Sequence, residues 1–309
     1  MDDEAALQRA IADLPEEDTP RLAYADYLDE LGGEANIARA EFIRIQVMLY
    51  RLVVETPEAK AARSRASELL ERYRLKWGFP PKSTQGHSSC TIRRGFVDEW
   101  VLTLDQKKTE VKRFISYITR FPIMRLKIAD NAGYLLKGGA TLNPSALAAL
   151  KLLDVPALQK IKHLEINSQT WTDEGIRDLL SLEYFPSLTS LALISIPITS
   201  SAVTAIAHLS KFVSLRSLRI SFTGMFSATR RVDRGVLDSC AEILATSPIL
   251  GELRELSLRA TGIGTRGAMA LAASPTLTKL EQLILTENPE IGDLGREALR
   301  QRFGDIVFL

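Results

Sequence analysis

Apolar residues recur at fixed spacings over much of the chain. Six segments carry an apolar residue at their first, fourth and sixth positions: residues 123–128, 161–166, 188–193, 215–220, 253–258 and 280–285. Their starting residues are 38, 27, 27, 38 and 27 positions apart, so the two long intervals exceed the short ones by the same 11 residues. Alternating apolar positions in a short segment are typical of a half-buried strand. The sequence therefore predicts six strands, each at the start of a repeated unit.

Each ordinary unit continues with a second apolar position and then a helix. An apolar residue stands five positions after the strand, and a small residue follows four positions later; these pairs are Trp171 and Gly175, Ile198 and Ala202, and Ile263 and Gly267. Helix-capping residues favour helices over residues 172–180, 200–208 and 265–272. One unit cannot bury both its strand leucines and its helix, whereas stacked copies can. We therefore expect a stacked array.

This pattern, LxxLxL followed by an apolar residue, a small residue and a helix, resembles the leucine-rich repeat. The unit length and the helix are similar to its ribonuclease-inhibitor subtype, and the resemblance covers about residues 90–309. It implies an α/β fold, a right-handed horseshoe-shaped solenoid with a parallel sheet inside and helices outside. Asn288 stands near the place where this family uses asparagine to bond loop backbone.

The ends of such an array must be covered, because the terminal cores would otherwise meet water. Residues 94–97 and 100–102 are expected to be extended, and 107–120 is expected to form an amphipathic helix. Together they predict an atypical first repeat, an N-terminal cap over about residues 90–121. The expected repeat domain spans residues 83–309 and contains this cap, six repeats and a closing strand. A closing strand is expected within residues 303–309.

The two long intervals predict insertions within residues 129–143 and 222–235, both between a strand and its helix. By the regular count, Val236 takes the loop-apolar role after the second insertion. Insertions at one edge of a repeat array often serve binding. The second insertion supplies aromatic and arginine anchors for a partner: Phe222, Phe226, Arg230, Arg231 and Arg234. The alternative interpretation is a tolerated surface loop.

The N-terminal residues 1–82 predict a separate helical module. Helices are expected at residues 3–14, 21–31, 36–53 and 57–77, with Pro20 at a helix start and Gly32-Gly33 as a stop. We expect core positions at Tyr24, Tyr27, Leu28 and Phe42. The residues that could form ion pairs between these helices are Arg21, Asp26, Arg39 and Glu41.

Two blocks of this module, residues 19–30 and 39–46, resemble the bacterial repeat-companion domain, a short module found beside repeat arrays. Tyr27 stands where that family is expected to have tryptophan, so an aromatic residue is kept. The resemblance implies no catalytic activity.

The 309 residues carry a formal net charge of only +1, yet the charge is unevenly distributed. Residues 1–34 hold eleven acids and two bases, and residues 51–82 hold eight Lys/Arg against four Glu. One interpretation is solvated helix surfaces. The other is that the two segments attract each other or a charged partner.

The sequence contains no recognisable motif for catalysis or metal binding. The chain has no phosphate loop and no nucleophile elbow, its three histidines are far apart, and Cys90 and Cys240 belong to no CxxC pair. We therefore expect no cofactor, no metal and no enzymatic activity. The acidic start and the lack of a long apolar run predict a cytoplasmic protein without a membrane span.

The readable functional surface is the concave sheet face, where side chains alternate with the buried leucines. The candidate contact residues on it are Arg125, Lys127, His163, Glu165, Asn167, Arg219, Glu255, Arg259 and Gln282. Mixed charges there favour a modest polar protein interface. We expect a non-catalytic, monomeric scaffold that binds another protein.

Two other interpretations stay open. In the first, the acidic N-terminal module is a regulatory or catalytic accessory that acts on a partner held by the repeats, through Asp26 or Glu41. In the second, residues 51–82 and Arg93-Arg94 bind nucleic acid, which would make binding strongly salt-dependent. Nucleic acid is the less favoured partner because the net charge is close to zero.

Overall fold

A computed structural model shows a mixed α/β protein that divides into two units. The first unit comprises Met1–Leu102 and Lys112–Leu126, and the second comprises Thr103–Val111 and Lys127–Leu309. The structure describes residues 3–52, 54, 56–81, 89–103, 108–121, 123–129, 151, 153–168, 171–186, 188–196, 198–221 and 234–309.

The first unit begins with four helices that match the four predicted from the sequence. They are α1 (Asp3–Asp13), α2 (Thr19–Leu31), α3 (Glu34–Arg51) and α4 (Pro57–Tyr73). They are followed by strands β1 (Ser89–Arg93) and β2 (Phe96–Thr103), helix α5 (Lys108–Arg120) and strand β3 (Arg125–Ala129). Both α5 and β3 contribute residues to both units.

The core of the first unit is formed where α2 packs on α3. Tyr24 and Leu28 from α2 are buried with Ile43 from α3 and Phe96 from β2, and Tyr27 packs against this cluster while partly exposed. Phe42 is 1% exposed. The predicted core positions of the N-terminal helices are therefore confirmed.

Arg39 does not form the ion pair that the sequence suggested, within the described residues. Its guanidinium lies in a cluster of aromatic rings, 4.1 Å from the Phe79 ring centroid and 5.0 Å from that of Trp77. Burial lowers the pKa of Arg39 because the charged form loses water. Attraction to the negative ring faces offsets part of that desolvation cost.

Ion pairs do connect the acidic and basic segments of this unit. Asp18 accepts from Arg51 at 2.7 Å, and Glu34 accepts from Arg72 at 2.8 Å. Two further exposed pairs use the predicted carboxylates: Asp26 with Arg44, and Glu41 with Arg65. Mutual attraction, one of the two interpretations of the charge pattern, is therefore present.

Strands β1 and β2 form an antiparallel hairpin whose turn was mispredicted as extended. Arg93 pairs with Phe96, so Arg94 and Gly95 form a two-residue turn with φ angles of +48° and +86°. Two positive φ angles match the right-handed twist of a hairpin. At Gly95, a β-carbon would lie 2.9 Å from the α-carbon of Ile43, so only glycine lets the turn approach α3 this closely.

The second unit alternates strands with helices. Its strands after β3 are β4 (His163–Asn167), β5 (Ser190–Ile194), β6 (Ser217–Ser221), β7 (Glu255–Ser257), β8 (Gln282–Ile284) and β9 (Val307–Phe308). Its helices after α5 are α6 (Asp173–Leu180), α7 (Ser200–His208), α8 (Arg234–Ala245), α9 (Thr265–Ala272) and α10 (Asp293–Phe303). The predicted repeat strands and helices in this range are confirmed, and the closing strand is limited to two residues.

The strands from β4 to β9 pair in parallel, in sequence order. Their register aligns one leucine per strand: Leu164, Leu191, Leu218, Leu256 and Leu283. Each of these is at most 4% exposed. The row of stacked leucines is the core that no single repeat could form.

Gly267, the small residue in the first turn of α9, has a packing reason. A β-carbon on Gly267 would lie 2.7 Å from the Asp238 carboxylate. That carboxylate accepts the backbone N–H groups of Gly264 and Gly267 at 2.9 and 3.0 Å, and so caps the start of α9 from the preceding helix. The loop role predicted for Val236 is wrong, because α8 already begins at Arg234.

Asn288 joins the backbone of the last two repeats. Its amide nitrogen donates to the carbonyls of Leu258 and Leu285, each at 2.8 Å, and its oxygen accepts from Gly262 and Ile263 at 2.8 and 3.2 Å. The asparagine role implied by the family resemblance is therefore present at this position.

Candidate partner-binding face

The residues that alternate with the stacked leucines form rows across neighbouring strands. One row pairs His163, Ser190, Ser217, Glu255 and Gln282, and the next pairs Glu165, Ala192, Arg219, Ser257 and Ile284. We call this surface the polar face. Most of its side chains are partly exposed, unlike the leucines between them. It thus combines side chains from five neighbouring strands in one surface.

An ionic chain crosses the polar face. Lys127 lies 2.5 Å from one oxygen of Glu165, and Arg219 lies 4.0 Å from the other oxygen. Glu165 and Arg219 belong to strands that are not neighbours, and Ala192 is the residue between them in the register. Ala192 is 1% exposed. Its small side chain leaves room for the two charged groups to meet above it.

Of the three charged residues Lys127, Glu165 and Arg219, Arg219 is the most exposed, with 45% of its side chain accessible. At 4.0 Å the contact with Glu165 is too long for a hydrogen bond. A guanidinium can bind a carboxylate with two parallel hydrogen bonds.

A groove lies at the starts of β6, β7 and β8 in the second unit. Its volume is about 490 Å³, and Glu255 and Gln282 both line it. Ser217 donates a hydrogen bond to Glu255 at 2.8 Å. The structure therefore brings two predicted contact residues into one depression.

Sequence reasoning missed part of this groove. Arg216, Arg254 and Glu281 also line it, and Arg254 forms an ion pair with Glu281. These three residues occupy the second position of consecutive LxxLxL segments. Extending the rows by one residue towards the strand start would have found them.

Other predicted contact residues lie apart from the rows. Arg259 follows β7 in a loop and forms an exposed ion pair with Glu287, whose hydrogen bond raises the pKa of Arg259. Arg125 belongs to the first unit, where it lies 3.2 Å from Asp98. Asn167 ends β4 and is partly exposed.

The insertion-loop candidates fall largely outside the described residues. Phe222, Phe226, Arg230 and Arg231 are not described, and neither is most of the first insertion. Arg234 begins α8, but its side chain is not described. Their part in binding stays a prediction.

Other functional groups add little chemistry to the described part of the chain. There, no three His, Cys, Asp or Glu side chains cluster as a metal site would require, and no helix combines the length and hydropathy needed to cross a bilayer. Both cysteines are free thiols. Burial raises the pKa of Cys240 to about 11, helped by the negative charge of Asp173.

Comparison with known proteins finds the repeat itself. The model of the Leucine Rich repeat family matches residues 253–272 and 276–299, which contain β7 with α9 and β8 with most of α10. No curated protein sequence gives a significant match to the chain. The two matches and the parallel strands in leucine register support leucine-rich repeats in the second unit.

Proposed function

We propose that this protein is a non-catalytic scaffold that binds another protein through the polar face. The observation that carries the proposal is the set of partly exposed polar rows, held in register by the buried leucines. Leucine-rich repeats generally mediate protein–protein interaction, which supports the same conclusion. Small residues such as Ser190, Ser217 and Ser257 let a partner approach the strands closely.

The charge pattern suggests the kind of partner. Lys127, Glu165 and Arg219 compensate one another in part, so no strong field of one sign steers association. Binding would rely on shape and on a few hydrogen bonds. We infer that a carboxylate of the partner contacts Arg219.

The finer features follow from the resemblances. We propose that the solenoid is right-handed and similar to the ribonuclease-inhibitor subtype, because the repeat has the same length and the same helix. We also propose that the helices of residues 1–82 are a repeat-companion module. The catalytic alternative for this module is less favoured, because Asp26 and Glu41 are both engaged in exposed ion pairs.

Affinity capture tests the main proposal. The full-length chain and its Arg219→Glu variant are immobilised and exposed to a lysate of the native cells, and retained proteins are quantified by mass spectrometry. The matched control is Arg300→Glu, which makes the same charge change at an exposed position of α10 instead of a strand. Circular dichroism confirms that all three chains are folded.

We expect at least one protein to bind the wild type and Arg300→Glu, and to be retained at least tenfold less by Arg219→Glu. Titration of that purified protein by calorimetry then gives the loss of affinity directly. A partner retained equally by all three chains would exclude the polar face around Arg219 as its binding site.

A further inference from the structure

A second candidate site lies wholly within the first unit. A groove of about 340 Å³ runs between α3, α4 and the β1–β2 turn. Helix α3 lines it with residues at helical spacing, including Phe42, Leu49 and Tyr50. Helix α4 lines it from Arg63 to Leu70, again along one helical face. Regular packing of two helices thus leaves an open trough, which the turn closes at one side.

The floor of the groove is apolar. Phe42 is 1% exposed and Ala66 is 4% exposed, and Leu49 and Leu70 are partly buried beside them. The volume is at the lower end of the range of about 300–1,000 Å³ that holds small ligands. It suits one or two anchoring apolar side chains.

The sides of the groove are positively charged. The lining residues include Arg63, Arg93 and Arg94, and none of the described lining residues is Asp or Glu. Arg93 is 42% exposed and lies 3.7 Å from Asp98, beyond hydrogen-bond distance. The occupant that complements this lining carries negative charge.

The guanidinium group of Arg94 is fixed by contacts within the first unit. The Arg94 side chain is 4% exposed, and its terminal nitrogens donate to the carbonyls of Pro15 and Glu16 at 2.6 and 2.9 Å. The carboxylates of Glu16 and Asp18 lie 3.4 and 3.5 Å from the same nitrogens. The Tyr50 ring lies 4.4 Å from its guanidinium carbon. In the described part of the chain, its Nε has no hydrogen-bond partner. Arg94 therefore fixes the turn side of the groove, and the carboxylates of Glu16 and Asp18 already compensate its charge.

The surroundings of the groove favour a short acidic peptide over a nucleic acid as the occupant. Tyr50, which lines the groove, is an exposed large apolar side chain near the end of α3. The same unit also contains residues 1–34, whose net charge of −9 repels a polyanion. A short peptide with few carboxylates avoids most of that repulsion.

We propose that this groove binds a short acidic segment of a partner protein, with an apolar side chain on the Phe42–Leu70 floor and flanking Asp or Glu carboxylates at Arg63 and Arg93. This site uses residues of the first unit alone, and its test does not depend on the polar face.

Selection from a peptide library tests the proposal without a known ligand. A displayed library of random 12-residue peptides is selected on the immobilised full-length chain, and the sequences that are enriched are read. One enriched peptide is then synthesised, labelled and titrated by fluorescence anisotropy against the variants. A labelled 12-residue poly-dT and a labelled poly-U of the same length are titrated in parallel.

The variants separate charge from shape. Arg63→Glu and Arg93→Glu reverse charges of the rim, and Ser67→Trp fills the groove from an exposed position of α4. Lys60→Glu makes the same charge reversal on α4 outside the groove lining and is the control. Thermal unfolding is measured for each variant, and Ser67→Trp keeps the test decisive if a charge reversal disturbs the fold.

We expect enriched peptides to combine an apolar residue with neighbouring Asp or Glu. The titrated peptide should bind Arg63→Glu, Arg93→Glu and Ser67→Trp at least tenfold more weakly than the wild type, and Lys60→Glu within twofold. Any of three results would overturn the proposal: no enrichment, enrichment without acidic residues, or tighter binding of the oligonucleotides than of any peptide. A loss of partner capture by Arg219→Glu alone leaves these results unchanged.

Discussion

Asn288 shows how one side chain can stabilise two repeats. It is 3% exposed and makes hydrogen bonds of 2.8–3.2 Å to four backbone groups between Leu258 and Leu285. Alanine would leave these buried donors and acceptors without partners. We expect Asn288→Ala to lower the free energy of unfolding by about 2–4 kcal/mol, as measured by urea denaturation.

An aspartate at position 288 tests the accepting and the donating hydrogen bonds of this side chain separately. A carboxylate accepts from Gly262 and Ile263 but cannot donate to the two carbonyls, so Asn288→Asp should also destabilise the second unit. Gln301→Ala, at an exposed position of α10, is the control and should change stability by less than about 0.5 kcal/mol. An Asn288→Ala variant as stable as that control would show that the network contributes nothing measurable.

The thiol of Cys240 is predicted to react slowly. Burial and the charge of Asp173 raise its pKa from 9.0 to about 11, so the thiolate fraction at pH 8 is about 100-fold smaller than for an unshifted thiol. In a Cys90→Ser background, Ellman's reagent should react at least tenfold more slowly with the folded chain than with the chain in urea.

The pH profile of the reaction with Ellman's reagent shows directly whether the pKa of Cys240 is raised. Because the pKa is raised, the rate should increase about tenfold per pH unit from pH 7.5 to 10 without reaching a plateau. A plateau near pH 9 would show that the thiol is not shifted.

Some residue-level features could be read from the sequence and others could not. Asn288 was identifiable because its place in the repeat is local. The contact between Glu165 and Arg219 was not, because it crosses the strand of Ala192 and depends on the register of three strands. The aromatic surroundings of Arg39 likewise come from β2 and from the chain after α4 as well as from its own helix.

At the scale of elements, the β1–β2 turn is the most constrained join in the first unit. A β-carbon on Gly95 would lie 2.6 Å from the Ile43 side chain and 2.9 Å from its α-carbon. Gly32 also has a positive φ, +67°, but a β-carbon added to it would have no atom within 4 Å, so it is the control. We expect Gly32→Ala to cost about 1–2 kcal/mol from its backbone conformation alone, φ +67° and ψ −173°.

Gly95→Ala adds a steric clash to the strain of a positive φ, so its cost should be about 2–4 kcal/mol. Urea denaturation, followed by tryptophan fluorescence, measures both variants. Equal costs at the two glycines would show that the turn moves away from α3 without penalty.

Repeat elements were predictable because their signals are periodic. The leucine spacing determines the strand register, and the observed α7 (Ser200–His208) and α9 (Thr265–Ala272) begin and end where the pattern indicated. The β1–β2 turn was missed because Arg94-Gly95 stands among apolar residues that read as extended. Val236 was misplaced because a fixed count assumed that the helix after the insertion keeps the regular offset.

Of the two candidate sites, the polar face could be predicted from local sequence, whereas the groove between α3 and α4 could not. The rows of the polar face follow from strand alternation, so their members were predictable. The groove between α3 and α4 was not, because it requires the packing of two helices against the β1–β2 turn. Only its charges had been noted, as the basic segment 51–82 and Arg93-Arg94.

At the scale of the whole molecule, charge balance predicts how copies interact. The chain carries 39 Lys/Arg and 38 Asp/Glu, so its net repulsion near neutral pH is very weak. The ion pairs of Asp18 and Glu34 neutralise part of the acidic segment 1–34, but Asp13, Glu17 and Glu30 are exposed. Oppositely charged regions on different copies can therefore attract one another.

We expect weak attraction between copies at pH 7.5 and low ionic strength, measured as a diffusion coefficient that falls with protein concentration in dynamic light scattering. Added NaCl at 0.3 M shortens the Debye length to about 6 Å and should abolish the concentration dependence. Attraction through exposed apolar side chains such as Leu31 and Leu75 would instead persist or grow with salt. A diffusion coefficient that falls equally steeply in both buffers would therefore assign the self-interaction to apolar surface and not to the uneven distribution of charge.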